Sequence, residues 1–314
     1  MNVLNIKIEH KRSNITEATT TAQAIVVSSL SPQKLKPPQN ADKIPLLATG
    51  HLFQLIPLIQ IIQENNYKLN DIETAVAAGP YFGTKEQINA LNSLHTNLRV
   101  RKEHIQCGER GRVHPCTAFH SMILGACETL REKADLYKIP DSKIQKIVGD
   151  GLLRMVRKLR TEVELVEDEC GIPSTTLSLF EIARLYSTLS ATSQLPEIYQ
   201  QAATHILHSI KNNSSCFAPQ SSIEGAILGL SKGDIILRTG ENGLTAGVSF
   251  SKNSGIAIKC DNGCQRTSAL VFLNYIIESG LIEESKQTKV MVENLSILKN
   301  DCGKPVGTVK ISIN

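Results

Sequence analysis

The spacing of hydrophobic and polar residues changes twice along the chain. At the start, apolar and polar residues alternate from Val3 to Ile8, and Ala22 to Ser28 is a short apolar run, so two strands are predicted. Ser29 to Pro45 is rich in Pro, Lys and Gln and predicts an exposed loop. Beyond it, Thr49 to Ile62 predicts an apolar helix that Pro57 should kink.

The middle of the chain has the helical period. Apolar residues from Phe119 to Leu130 form one stripe at this spacing, in a helix that begins near Thr117. Further helices are predicted from about Asp71, from Lys85 to His95, from Ile144 to Leu159, from Ser178 to Leu189 and from Pro196 to Ile210. We therefore expect a helical lobe at about 115–212.

The last third returns to strand spacing. Asp234 to Arg238, Leu244 to Phe250 and Gly255 to Lys259 are short β-rich runs separated by turns, which predicts an antiparallel meander. A final strand is predicted from Pro305 to Ile313. Strands at both ends with helices between them predict an α+β fold, in which the N- and C-terminal strands form one antiparallel sheet within a single domain spanning 1–314.

Composition narrows the class of protein. The 314 residues are 41% hydrophobic and 20% charged, with a net charge of +4, which fits a globular core and neither a disordered chain nor a strongly basic nucleic-acid binder. Aromatic residues make up 4% and Trp is absent, so stacking of bases is not expected. Because no apolar run has the length of a membrane span or a signal peptide, we expect a cytoplasmic protein without membrane partners.

Two helix starts carry side chains with reactive groups. Cys116 and His120 lie four residues apart on one side of a helix, whose dipole favours a thiolate at its N-terminus. Thr49 and His51 flank another helix start. The alternatives are a buried thiol next to a capping Thr117 in the first case, and an N-cap followed by a surface histidine in the second.

Two loops are further candidates. Asp168 lies in a turn that mixes acidic residues, Gly and Pro, a kind of loop that often carries function, and the alternative is a solvated loop acid. Arg238, Gly240 and Asn242 lie where two predicted strands are joined, and the alternative there is a plain hairpin with an exposed arginine. The eight cysteines include no CxxC pair and are expected to be reduced thiols.

Several segments match the motifs of a known family. Asp168-Glu169-Cys170-Gly171-Ile172-Pro173 matches Asp-Gly-Cys-Gly-x-Pro, and Cys116-Thr117-Ala118-Phe119-His120 matches Cys-Ser-Gly-Lys-His. Shorter matches are Ile105 to Gly108, Gly255 to Gly263 and Asn300 to Gly307. Taken in order, these segments resemble the bacterial L-asparaginase II family, whose fold is similar to that of the serine β-lactamases and glutaminases.

The resemblance implies hydrolysis of a side-chain amide by a serine that a lysine activates, with two such pairs. In this chain Ala48 stands in the first serine position and His51 in the lysine position, with the Thr49 hydroxyl one residue along. The second serine has no counterpart near Tyr81 to Thr84. Arg238, which stays protonated and cannot act as a base, stands where the second lysine would be.

The resemblance also implies a metal site built from cysteines and the lysine of Cys-Ser-Gly-Lys-His. Cys116 is retained, but Phe119 stands in the lysine position and Glu224 near the remaining ligand. On this basis we expect no bound zinc and no other cofactor.

We therefore expect a divergent asparaginase II-like amidohydrolase or acyl-transfer enzyme that acts on a small amino-acid amide or a related substrate. Thr49 or Cys116 is the expected nucleophile, and His51 or His120 the base. The alternative is a catalytically inactive pseudoenzyme that binds a small amino-acid-like ligand or a protein partner.

Substrate binding is assigned to a second group of residues. We expect Arg238 to bind a substrate carboxylate in a bidentate contact and Asp168 to bind an α-ammonium group. The other expected substrate-binding residues are Thr117, His120, Gly240 and Asn242. The expected partner is a small amino-acid-like molecule and not a nucleic acid, and a homodimer is the assembly to consider.

Overall fold

The computed structural model describes residues 2–30, 42–108 and 113–313. Its strands are β1 Asn2–Arg12, β2 Ile15–Ser28, β3 Ile44–Pro45, β4 Leu165–Glu167, β5 Pro173–Leu177, β6 Ile235–Thr239, β7 Leu244–Ser249, β8 Ser254–Cys260, β9 Ile297–Lys299 and β10 Pro305–Ile313. Its helices are α1 His51–Glu64, α2 Asp71–Ala78, α3 Lys85–Leu98, α4 Thr117–Leu130, α5 Lys143–Val156, α6 Leu179–Ser187, α7 Glu197–Asn212, α8 Ser214–Phe217, α9 Ile223–Leu230, α10 Gln265–Glu278 and α11 Lys286–Ser296. Within the described ranges, no helix has the length and apolar composition that crossing a bilayer requires.

The chain divides into two compact units. The sheet unit comprises Met1–Lys43, Ser178–Ser190 and Leu230–Asn314, and the helical unit comprises Ile44–Leu177 and Ala191–Gly229. The predicted α+β class is confirmed. The lobe expected at about 115–212 falls mostly in the helical unit, which also contains the earlier helices α1, α2 and α3.

The sheet unit contains a seven-stranded antiparallel sheet with strand order β6-β7-β8-β2-β1-β10-β9. The two ends of the chain meet there, because β1 pairs with β10 from Ile6 opposite Ile313 to Arg12 opposite Gly307. This confirms the predicted sheet of N- and C-terminal strands. Of the loop predicted from Ser29 to Pro45, residues 31–41 lie outside the described residues, and the last two residues form β3.

Helices cover both faces of the sheet at β7 and β8. Val248 and Gly255 are paired and point to the same face, whereas Gly247 points to the other. A Cβ on Gly255 would lie 1.9 Å from the carbonyl oxygen of Ala183 in α6, and one on Gly247 would lie 3.0 Å from Phe272 in α10. The two helices therefore lie on opposite faces, which explains why every residue of β6 and β7 is buried.

Helix α1 forms the core of the helical unit. Eleven of its fourteen residues are buried, on all sides of the helix, as expected for a helix surrounded by others. It packs against α4, α5 and α7, and Pro57 lies in its interior. A three-stranded sheet of order β3-β5-β4 lies next to its start, where the N–H of Leu46 donates to the carbonyl of Thr175 at 3.1 Å.

Candidate active site

The turn before α1 places the residues that, by the resemblance, stand in the family's serine and lysine positions. Leu47 to Gly50 form a 3₁₀ turn, in which Leu47 has φ 45°, a left-handed conformation that strains any residue except glycine. The Leu47 N–H donates to Oγ of Ser174 at 2.8 Å. Ala48 and Thr49 are buried, and the Thr49 hydroxyl donates to the carbonyl of Leu46. The turn is therefore fixed at both ends.

His51, the first residue of α1, is in contact with the first turn of α4. Its side chain is only 2% exposed, and its ring stacks on Phe119 with centroids 4.0 Å apart and planes 12° from parallel. By the resemblance, both residues stand where the family has lysines. The two residues that depart from the family pattern are therefore in contact.

Asp168 lies next to His51, in the turn that connects β4 and β5. Its Oδ1 accepts the N–H groups of Cys170 at 2.9 Å and Ile172 at 2.8 Å, and its Oδ2 lies 3.6 Å from Nε2 of His51. Gly171 makes this turn possible with φ +79°. Burial alone would raise the pKa of Asp168, but the contacts with His51 and the two backbone N–H groups outweigh it and lower that pKa.

His120 is a buried imidazole in the first turn of α4. The Tyr137 hydroxyl accepts the N–H of Gln106 at 2.9 Å and lies 2.6 Å from Nδ1 of His120. Nε2 of His120 has no hydrogen-bond partner within the described part of the chain. Burial, with the nearby His51 adding to it, lowers the pKa of His120 to about 3.

A cluster of thiols lies at the start of α4. Cys107, Cys116 and Cys170 are buried together, and Nδ1 of His114 lies 3.6 Å from Sγ of Cys170. A hydrogen bond from Cys107 favours the Cys170 thiolate, but contact with Cys116 and burial together raise the pKa of Cys170 to about 12. The Thr117 hydroxyl lies 3.6 Å from Sγ of Cys107 and accepts the N–H of His114 at 3.3 Å.

The thiol cluster has a donor set that fits a metal ion. One sulfur each from Cys116 and Cys170 and one nitrogen from His114 lie within 4.8 Å of one another. Two sulfurs and an imidazole are donors that zinc prefers. We predicted no bound zinc because Phe119 stands in the family's lysine position, and we did not consider His114. The short spacing His114-Pro115-Cys116 was the signal in the sequence that could have identified it. Glu224 lies in the first turn of α9 and is not among these three donors.

The remaining predicted residues belong to the sheet unit. Arg238 is on β6 and 3% exposed, so it is not the exposed arginine of the plain-hairpin alternative. Gly240 donates its N–H to the carbonyl of Leu244 at 2.8 Å and closes the turn between β6 and β7. The carbonyl of Asn242 accepts a hydrogen bond from Nζ of Lys259 at 2.6 Å.

The helical unit thus brings some predicted partners together and separates others. His51 faces Asp168, a pair that sequence reasoning did not connect. Cys116 and His120, predicted as a nucleophile and base, have different nearest partners, since Nδ1 of His120 bonds to Tyr137 and Cys116 lies with Cys170 and His114. Their assigned roles stay predictions, as do those of Thr49 and Thr117.

Comparison with known proteins supplies the family. A search of curated proteins found no match. Among solved structures, the chain is similar to the crystal structure of a proposed β-lactamase from Bacteroides dorei DSM 17855, with a TM-score of 0.42 and 10% identity over 84% of this chain and 88% of that one. A family model described as L-asparaginase II matches residues 8–311, nearly the whole length. The chain therefore belongs to the L-asparaginase II family.

Proposed function

We propose that this chain is a hydrolase that acts on a small amino-acid amide or a related acyl compound, with His51 as the base in place of the family's lysine. The observation that carries the proposal is the buried contact between His51 and Asp168 at 3.6 Å. Membership of the asparaginase II family supports a hydrolase-type function. A histidine oriented by a carboxylate can accept the proton of a nucleophile, which a lysine does in the resemblance.

The orientation of His51 assigns a role to each of its nitrogens. Because Nε2 is the nitrogen that faces Oδ2 of Asp168, we assign the ring proton to Nε2 and a lone pair to Nδ1. Phe119 holds the ring plane by stacking. Because Oδ1 of Asp168 is taken up by two backbone N–H groups and Oδ2 faces His51, we assign Asp168 to orienting His51 and no longer to binding an α-ammonium group.

The reaction needs a nucleophile, and Thr49 is the better candidate. Cys116 lies among other sulfurs and His114. Thr49, by contrast, precedes His51 by two positions in the sequence. In the proposed step, this hydroxyl leaves its bond to the Leu46 carbonyl and attacks the amide carbon while its proton passes to Nδ1 of His51. The proton then goes to the departing nitrogen, releasing ammonia, and water hydrolyses the resulting ester.

His120 is proposed to bind an oxygen of the substrate. Since the Tyr137 hydroxyl already accepts the N–H of Gln106, we assign its proton to Nδ1 of His120 and the ring proton of His120 to Nε2. Nε2–H is then a buried donor without a partner in the described residues, an arrangement that costs about 1–3 kcal/mol unless a ligand oxygen or water accepts it. A carbonyl or carboxylate oxygen of an amino-acid amide is a suitable acceptor. The role expected of Arg238 from its chemistry, binding of a substrate carboxylate, stays a prediction.

A second candidate function is binding without turnover. Ala48 in the serine position, and a Thr49 hydroxyl that is already bonded to a carbonyl, favour a protein that keeps the ligand-binding groups and has lost the nucleophile. Under this alternative His51, Asp168 and His120 would bind a small amino-acid-like ligand.

One experiment distinguishes the two functions. Purified protein is incubated with asparagine, glutamine and their hydroxamates while ammonia and hydroxylamine are measured, and its melting temperature is recorded with each amide and with aspartate and glutamate. Turnover that Thr49→Ala abolishes and Thr49→Ser retains supports the hydrolase. No turnover, together with a rise in melting temperature, supports the binder. Turnover that Thr49→Ala leaves unchanged shows that Thr49 is not the nucleophile.

A further inference from the structure

We propose that Lys138, which lies outside the residues predicted from the sequence, is a positioning residue that fixes the imidazoles of His51 and His120 through one ammonium group. Lys138 is half-buried in the segment between α4 and α5. It acts through two segments that hold the partners of these histidines. Its effect on the rate of hydrolysis rests on the proposed function, whereas its effect on the two imidazoles does not.

The Lys138 ammonium joins two segments that are far apart along the chain. Nζ donates to the carbonyl of Gln106 at 3.3 Å and to the carbonyl of Cys170 at 3.0 Å, and each of these residues is 32 positions from Lys138. Hydrogen bonds from an ionised donor are stronger than those between neutral groups. In the part of the chain that the structure describes, Lys138 forms no ion pair, so these two carbonyls are what orders its side chain.

The first of these segments is the turn that presents Asp168 to His51. Cys170 is held at both of its backbone groups, because its N–H donates to Oδ1 of Asp168 at 2.9 Å and its carbonyl accepts from Lys138. Lys138 also lies over the next residue of the turn, since a Cβ on Gly171 would be 3.3 Å from Nζ. With Oδ1 fixed in this way, Oδ2 faces Nε2 of His51 at 3.6 Å. The ammonium therefore supports the carboxylate that orients His51.

The second segment holds Tyr137, whose hydroxyl lies next to His120. The N–H of Gln106 donates to this hydroxyl at 2.9 Å, and the hydroxyl lies 2.6 Å from Nδ1 of His120. Gln106 is thus held at both of its backbone groups by two consecutive residues, Tyr137 and Lys138. Removing the ammonium would release one of these two contacts and loosen the hydroxyl that orients His120.

The charge of Lys138 acts in the same direction as its hydrogen bonds. Burial and then His51 are the main reasons why the pKa of His120 is lowered to about 3, and the positive charge of Lys138 adds a smaller contribution. A neutral imidazole keeps one nitrogen as an acceptor and the other as a donor. Lys138 therefore supports the uncharged form of His120 that the proposed binding of a substrate oxygen needs.

Nuclear magnetic resonance of the histidine rings tests the proposal without turnover. In protein labelled isotopically at its histidine nitrogens, the shifts of Nδ1 and Nε2 report the tautomer and the hydrogen bonds of each ring. Spectra of His51→Gln and His120→Gln assign the two signals of interest. In Lys138→Met we expect the nitrogen shifts of His51 and His120 to move toward those of a mobile imidazole that exchanges between tautomers. His205 in α7 should keep its shifts.

Two further variants serve as controls. Lys138→Arg keeps a cationic donor and should restore the histidine spectrum of the unmodified chain, and Lys146→Met, which removes an exposed ammonium from α5, should leave that spectrum unchanged. Unchanged signals of His51 and His120 in Lys138→Met would overturn the proposal. A shift of every histidine signal would also overturn it, since that indicates a general loss of structure. If Lys138→Met does not fold, Lys138→Gln takes its place, with the same expected and contradicting results.

Kinetics of amide hydrolysis separate this inference from the proposed function. We expect Lys138→Met to lower kcat by at least about 10-fold, more than it raises KM, because a misplaced base affects the transition state more than substrate binding. Lys138→Arg should recover the rate, and Lys146→Met should keep it. Altered histidine signals in Lys138→Met together with the kcat of the unmodified chain would contradict the positioning role. A chain that hydrolyses none of the amides contradicts the proposed function alone, because the histidine spectra still decide whether Lys138 fixes the two rings.

Discussion

At the scale of single residues, the candidate site is built on contacts between substituted positions. By the resemblance, His51 and Phe119 each stand where the family has a lysine, and each change taken alone looks like loss of a reactive group. In the fold their rings stack at 4.0 Å, and Asp168 lies on the edge of the imidazole. A lysine restored at 119 would place an ammonium in this buried contact, so the two substitutions depend on each other.

The stacking of His51 on Phe119 should appear as a coupling energy. In a double-mutant cycle of His51→Ala and Phe119→Ala, the combined loss in free energy of unfolding should be smaller than the sum of the single losses by about 0.5–1.5 kcal/mol. Urea denaturation of the four proteins measures this. Strictly additive losses would show that the rings do not stabilise each other.

Another buried histidine, His95 in α3, makes the free energy of unfolding depend on pH. Its Nε2 lies 2.8 Å from Oγ of Ser121, and burial, with a smaller contribution from Lys102, lowers the pKa of His95 from 6.5 to about 4. At pH values between about 4 and 6.5, His95 of the unfolded chain binds a proton that His95 of the folded chain does not. The free energy of unfolding should therefore fall by up to ~3 kcal/mol as the pH drops from about 6.5 to about 4.

The variant His95→Gln isolates this contribution. Glutamine does not titrate, so the slope of unfolding free energy against pH should become flatter in the same pH range. The contributions of the other titrating groups to this slope should be unchanged. Chemical denaturation at a series of pH values provides the comparison. An identical slope in both proteins would show that His95 is not the group responsible.

At the scale of helices and strands, most elements followed from the hydrophobic pattern. Long amphipathic helices such as α4 and α5 have a clear period, and so do strands β1 and β10. Strand β5 was not predicted, because its polar sequence Pro-Ser-Thr-Thr-Leu follows a turn rich in Gly and Pro, yet all five of its residues are buried. Its burial comes from pairing with β3 and β4, and a single segment does not reveal such pairing.

Helix α5 offers a matched test of packing, because it contains two glycines with different surroundings. A Cβ on Gly151 would lie 2.9 Å from Pro57 of α1, whereas one on Gly149 would meet only the flexible end of Arg160 at 3.1 Å. We expect Gly149→Ala to raise the free energy of unfolding by about 0.5–1 kcal/mol and Gly151→Ala to lower it by about 1–3 kcal/mol.

Thermal and urea unfolding of these two variants check the close approach of α5 to α1. Both substitutions add the same helix propensity, so the difference between them reports the contact with Pro57. Equal stabilisation by both would mean that the helices have room for a methyl group at Gly151.

At the scale of the whole molecule, the order of segments along the chain predicted which strands share a sheet. It did not predict which side chains come into contact. Strands at both ends with helices between them were sufficient to predict that β1 and β10 share a sheet. The sequence could not predict that His51 in α1 contacts both Asp168 and Phe119, since these residues are far apart along the chain and nothing in their spacing links them. The grouping of His114 with Cys116 and Cys170 was missed for a related reason, because only the family's own ligand positions were considered.

The most direct test of the proposed function is the rate of amide hydrolysis after removal of the base. His51→Gln keeps a planar side chain that can still contact Asp168 but cannot accept a proton at neutral pH. With the best amide substrate, we predict a loss of kcat of at least about 100-fold, since general base catalysis contributes about 10²–10⁴-fold. The melting temperature should fall only by the small amount that loss of the ring stacking on Phe119 causes. A His51→Gln protein that hydrolyses the amide at the rate of the unmodified chain would contradict the assignment of His51 as the base.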